Sequence, residues 1–131
     1  MSEYLHNRHF TLEEAREELT KVHALAVRMM ELKDELERKG WDVYRHHYFG
    51  GRGPNGDGSF PEEMEMLVDI LKGFEARGIM VKGMAEGLFD FPHIRKNGEE
   101  VYLCWQVGEN DLEFWHTIDE GFQGRKRISE L

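Results

Sequence analysis

Three scarcities bound this chain before any pattern is read. It holds one cysteine, Cys104, in 131 residues. That excludes an internal disulfide and suits a reducing compartment. Basic residues are few: 17 Lys and Arg stand against 26 Asp and Glu, a formal net charge of −9. Nonspecific binding to nucleic acid or to an anionic membrane needs a basic footprint, so neither is expected. Long apolar runs are missing, and no charged-then-apolar leader opens the chain. No membrane contact and a cytoplasmic location are therefore expected. The length fits a single domain over 1–131 with a real core and no staples.

The first half reads as two helices and a loop. Thr11 and Glu14 form a capping box, and Phe10 can staple onto Ala15. Apolar residues then recur at Leu12, Ala15, Leu19, Val22, Ala26, Met29, Leu32 and Leu36 until Gly40 ends the helix. A helix over Thr11–Lys39 would run roughly 43 Å at 1.5 Å per residue, longer than a small sheet needs. Residues 40–60 are rich in glycine and read as a flexible loop between the helices. Gly51-x-Gly53-x-x-Gly56 matches a dinucleotide fingerprint only formally, because Pro54 interrupts it and no parallel strand–helix unit surrounds it. Ser59-Phe60-Pro61-Glu62 opens a second helix with Ser59 as its cap, and Gly78 stops it. Ile79–Lys82 reads as a short strand.

The stretch from Leu88 to Arg125 organises the rest. Asn97-Gly98 between apolar runs predicts a two-residue hairpin turn. That register sets Lys96 against Glu99, Arg95 against Glu100, His93 against Tyr102 and Asp90 against Trp105. A second turn at Gly108–Asp111 would set Leu103 beside His116, Trp105 beside Phe114 and Cys104 beside Trp115. Side chains alternate across a strand. One face then carries Asp90, Leu103, Trp105, Phe114 and His116, and should take the helices. The other carries Phe89, Phe91, His93, Tyr102, Cys104 and Trp115. That second face is too aromatic to stay in water, so Phe89, Phe91, Tyr102 and Trp115 are expected to form a homodimer interface. Pro92 should sit at a sheet edge or a bulge. The expected fold is α+β: two helices, one of them long, on one face of an antiparallel meander of three to four strands.

Asp90-Phe91-Pro92, Arg95, Gly98, Glu100 to Trp105, Gly108-Glu109, Trp115-His116 and Gly121-Phe122-x-Gly124-Arg125 together resemble the prokaryotic family catalogued as domain of unknown function 2203. The opening Phe10-Thr11-Leu12-Glu13-Glu14-Ala15 is similar to the start of that family. The resemblance spans most of the chain outside the glycine-rich loop. In that pattern an acidic residue follows Val81-Lys82, whereas Gly83 stands here, so no acidic role carries over. Membership implies a small soluble protein and no established activity.

Four residues are candidates for ligand binding: Asp90, Trp105, His116 and Arg125. Asp90, on a core face, is either a general acid/base and ligand anchor, or a structural carboxylate held by backbone N–H groups or by Arg125. His116 lies two strands away, about 10 Å at ordinary strand spacing, so direct contact with Asp90 is not expected. It is a catalytic base or a satisfied histidine. Arg125 either recognises an anion or clamps Asp90, Asp119 or Glu120. Cys104 reads as a buried thiol, with His93 on its face as a conceivable partner. No His-x-x-x-His, paired-cysteine or calcium-loop spacing is present, which leaves His46, His47, His93 and Cys104 as weak metal candidates. The leading functional reading is a non-enzymatic binding or adaptor module for a small anionic ligand or a protein partner. The rival is an enzyme using Asp90 and His116 for proton transfer, with Arg125 orienting an anionic substrate. A heme- or metal-binding protein acting through histidine ranks third.

Overall fold

The computed structural model describes residues 3–43 and 61–131. Helix α1 spans Leu12–Arg38 and carries the expected capping box: Thr11 accepts from the Glu14 amide, and the Glu14 carboxylate accepts from the Thr11 amide. Its core stripe is Ala15, Val22, Ala26, Met29, Leu32 and Leu36. Helix α2 spans Glu62–Arg77 and ends at Gly78, whose φ of 79° completes a left-handed cap. Its N-cap is Pro61, with no side-chain cap bond. Ser59, most of the glycine-rich loop, and His46 and His47 lie outside the described residues.

Five antiparallel strands follow as a meander in the order β1 (Met80–Gly83), β2 (Leu88–Ile94), β3 (Glu100–Gln106), β4 (Phe114–Thr117) and β5 (Lys126–Arg127). The α+β class holds, with five strands where three to four were expected. The extra strand is β5, two residues that pair with Phe114 and Trp115 and are too short to leave a periodic signal.

The hairpin register differs from expectation by one residue. Phe89 pairs with Trp105, Asp90 with Cys104, Phe91 with Leu103 and His93 with Val101. The loop holds three residues, not two. Arg95 N–H donates to Glu99 O at 2.8 Å, and Gly98 N–H donates to Arg95 O at 2.8 Å. Only Gly98 has positive φ, at 90°, while the Asn97 side chain accepts from the Glu99 amide. This is a type I turn closed by a left-handed glycine, the commonest three-residue hairpin loop. The β3–β4 pairing is also shifted by one, with Leu103 opposite Trp115 and Tyr102 opposite His116.

A one-residue slip moves a strand's whole side-chain set to the other face. The β3 assignment survives, with Val101, Leu103 and Trp105 under the helices. The assignments of β2 and β4 reverse. Phe89 and Phe91 are fully buried and Trp115 is 3% exposed, all inside the helix-side core. Phe74 of α2 packs on Phe89 at 4.9 Å between ring centroids, and Phe10 packs edge-on to Phe91 at 5.4 Å. Burying each such aromatic contributes about 1.5–3 kcal/mol, so this register outweighs one that would expose three of them. The aromatic face expected to bind a second copy is thus the core itself. Phe89, Phe91 and Trp115 offer no open surface for a homodimer, and Tyr102, on the opposite face, is only 3% exposed.

Pro92 is explained by where β1 stops. The β1–β2 pairing ends at Asp90. Beyond it, the outer edge of β2 is met by the segment before α1, with Phe10 N–H donating to Pro92 O at 2.7 Å. Pro92 has no N–H to offer at that edge, and no strand is there to need one.

Candidate functional site

The same slip that buries the aromatics gathers three chemical residues on the sheet face turned away from the helices. Asp90 on β2 lies directly opposite Cys104 on β3. His116 on β4 sits diagonally across from Cys104, beside Tyr102. The thiol is small, so the carboxylate and the imidazole lean toward each other over it. His116 Nε2 lies 3.1 Å from both Asp90 Oδ1 and Asp90 Oδ2. The expected separation of two strand spacings holds for the backbone only. The side chains close it. One ligand-type atom each from Asp90, Cys104 and His116 lie within 4.8 Å of one another, and all three residues are buried.

The hydrogen bonds fix how many protons this cluster holds. His116 Nδ1 is 2.8 Å from Thr117 O. A carbonyl only accepts, so Nδ1 carries a proton. Nε2 faces a carboxylate, so one further proton lies between Nε2 and Asp90. The pair is electrically neutral whichever atom holds that proton. Burial pulls the His116 pKa down, but the hydrogen bond to Asp90, the Thr117 carbonyl and the Asp90 charge together leave it above its ordinary 6.5. Burial first, and the adjacent Asp90 charge second, push the Cys104 thiol far up, so it stays protonated. A thiol in this state is not an activated nucleophile.

A cover lies over the cluster. The Tyr102 ring lies beside His116, tilted to it, with ring centroids 5.5 Å apart, and its hydroxyl is 2.6 Å from His6 Nε2. Lys82 Nζ sits over the Tyr102 ring, 4.7 Å from its centroid. The segment bearing His6 is strapped down by one carboxylate, Glu100, which accepts from the Leu5 and His6 amides at 2.8 and 3.0 Å and pairs with His9 Nε2 at 2.7 Å. Burial opposes ionisation of Glu100, but these donors outweigh it and hold its pKa below the ordinary carboxylate value. An open groove of about 960 Å³ runs along β1 and α2 past His6 and Lys82, and none of the three cluster residues lines it.

The other candidates lie elsewhere. Trp105 is on the helix side and donates Nε1–H to Glu109 O at 3.1 Å, so it does not share a site with Asp90. Arg125 clamps none of Asp90, Asp119 and Glu120. Its Nη2 donates to Glu109 Oε1 at 2.7 Å and to Cys104 O at 3.2 Å, and its guanidinium lies over Phe114 and Phe122. Glu109 also accepts from the Gln106 amide, so the Arg125–Glu109 pair pins the β3–β4 turn beside the cluster. His93 faces the core side, with Nδ1 2.7 Å from Phe10 O, and cannot meet Cys104. Among the described residues, sequence reasoning missed the roles of Glu109, Glu100 and His6. No spacing in the chain links these residues to their partners.

The family model described as an uncharacterized conserved protein (DUF2203) matches residues 8–128. The chain belongs to this family. No curated protein and no solved structure matches it. In this DUF2203 member the resemblance motifs, scattered along the sequence, converge in space. DFP supplies Asp90, EVYLCW supplies Cys104 and WH supplies His116, while Glu109 of GE and Arg125 of GFxGR buttress the strand between them. Among the described residues, no helix is long and apolar enough to cross a membrane.

Proposed function

We propose that this DUF2203 protein is a non-enzymatic binding module and that its ligand site is the Asp90–Cys104–His116 cluster. One observation carries the reading: donors of three chemical types, from three adjacent strands, converge within 4.8 Å inside the protein. A core has no use for three buried polar groups at one point, since apolar residues there would cost less. Acid–base catalysis is a poorer account. The working nitrogen of His116 is occupied by Asp90, and the other by Thr117. Neither ring nitrogen is left to serve Cys104, so the nucleophile–base–orienter chain of a catalytic triad is broken. An anionic ligand would need Arg125, which Glu109 already neutralises. A porphyrin would need a slot beside an available histidine nitrogen.

The test is a thermal-shift panel of metal ions, small anions and nucleotides on the wild type, Asp90→Asn and His116→Gln. A ligand at a hundred times its Kd stabilises the fold by about 2.7 kcal/mol. The reading requires at least one compound to raise the wild-type melting temperature and to lose that effect in both variants. A panel without effect, alongside variants that are merely less stable, would reduce the cluster to a structural clamp.

A further inference from the structure

We infer that the ligand of this site is a divalent transition-metal ion of the zinc type, held by Cys104 Sγ, His116 Nε2 and a carboxylate oxygen of Asp90. The inference rests on the binding reading above and names the ligand's chemistry. Thiolate, imidazole and carboxylate together select a borderline-soft cation over magnesium or calcium, which prefer all-oxygen shells.

The geometry is close to what such an ion requires. A tetrahedral zinc with bonds of about 2.0 Å to nitrogen and oxygen and 2.3 Å to sulfur sets its donors roughly 3.3–3.5 Å apart. His116 Nε2 and Asp90 are already 3.1 Å apart. All three donor atoms lie within 4.8 Å of one another, little more than a tetrahedral ion needs. The outer shell is also in place. His116 Nδ1–H donates to Thr117 O at 2.8 Å, which orients the ring and leaves Nε2 as the ligating nitrogen, the arrangement metal-binding histidines adopt. Arg125 and Glu109 fix the backbone of Cys104 through its carbonyl.

Charge balances across the exchange. The ion forms bonds to sulfur, nitrogen and oxygen. The thiol proton and the proton shared by His116 and Asp90 leave to solvent. A doubly charged cation thus replaces two protons, and the buried site stays neutral, as it was. Three protein donors leave a fourth position for water or an exchangeable group. Tyr102 lies beside His116, and its partner His6 lines the open groove together with Lys82.

The experiment uses the full chain, stripped with a chelator, then dialysed separately against zinc and cobalt(II). The expected result is one ion per chain by elemental analysis, with cobalt showing tetrahedral visible bands and a thiolate-to-cobalt charge-transfer band in the near ultraviolet. Cys104 is the only cysteine, so that band identifies the site in the wild type without any variant. Cys104→Ser should abolish it. Asp90→Asn should weaken binding by more than about 100-fold, since even outer-shell changes cost 10–100-fold. If the variants do not fold, the wild-type spectrum decides. No retained ion, or cobalt bound without the thiolate band, overturns the inference. If that happens while another ligand stabilises the protein through Asp90 and His116, the binding reading stands and only the metal falls. If no ligand does, both fall.

Discussion

Replacing Asp90 with asparagine removes the charge facing His116 while keeping shape. Asp90 is 2% exposed and His116 3% exposed, so solvent does little to screen their interaction. A hydrogen bond to a charged group contributes about 1.5–3 kcal/mol. Loss of a partner in a buried pair reaches roughly 3–5 kcal/mol when the remaining charge stays uncompensated. Here the imidazole can shed its proton, so the smaller range applies near neutrality. For 131 residues an unfolding entropy of about 2.1 cal/mol/K per residue converts this to a fall in melting temperature of roughly 5–10 °C. The pH dependence is the sharper consequence. In the wild type the His116 pKa is raised above its ordinary 6.5. Its contribution is therefore complete below that value and is lost as pH rises through the folded pKa. In Asp90→Asn, burial acts without the opposing carboxylate, and protonation below pH 6.5 should destabilise the fold. The melting gap between the two proteins should therefore widen from pH 8.5 to pH 5.5. Melts of the chelator-stripped, metal-free proteins in matched buffers across that window measure it. A gap that is constant, or that widens on the alkaline side, would refute the protonated His116–Asp90 pair.

Arg125→Ala should cost about 1.5–3 kcal/mol through loss of its bonds to Glu109 and Cys104 O. Because the two residues form one clamp, Arg125→Ala and Glu109→Ala should be strongly sub-additive in chemical denaturation; additive costs would mean they act separately. Trp115→Glu and Phe91→Glu should each lose more than about 4 kcal/mol and unfold the chain by circular dichroism, not dissociate an assembly in light scattering. Glu100→Gln should loosen the strap, raising hydrogen exchange at the Leu5 and His6 amides by about tenfold or more, the equivalent of one charge-assisted bond. Unchanged exchange would show that other contacts hold the strap. Acid should act in the same direction: the Glu100 pKa lies below 4.5, so its hold is present above that value and is lost as pH falls through the folded pKa.

The helices were legible because capping and periodicity are local. Thr11 with Glu14, the three-or-four spacing along α1 and the glycine at 78 each act within a turn or two. The Asn97-Gly98 turn was legible in place but not in register. Two-residue and three-residue loops both accept Asn-Gly, and the flanking Arg95-Lys96 and Glu99-Glu100 offer opposite charges in either alignment. That single ambiguity reversed β2, and a second one reversed β4. Asp90, His116 and Cys104 stood out as residue types, yet their meeting was not readable. It depends on which face two slipped strands present and on the small Cys104 side chain between them. Arg125 was readable as a delivered guanidinium, but its partner Glu109 lies 16 positions away with no periodic link.

The most direct check on the account is the nitrogen-15 spectrum of the histidine rings of the chelator-stripped, metal-free chain at pH 6.5, where an unperturbed imidazole is half protonated. His116 should be protonated mainly on both nitrogens, with both ring protons protected from exchange with water, and this signature should vanish in Asp90→Asn. A His116 ring that is mainly neutral at that pH, with one bare nitrogen and rapidly exchanging protons, would contradict the buried pair on which the proposed site is built.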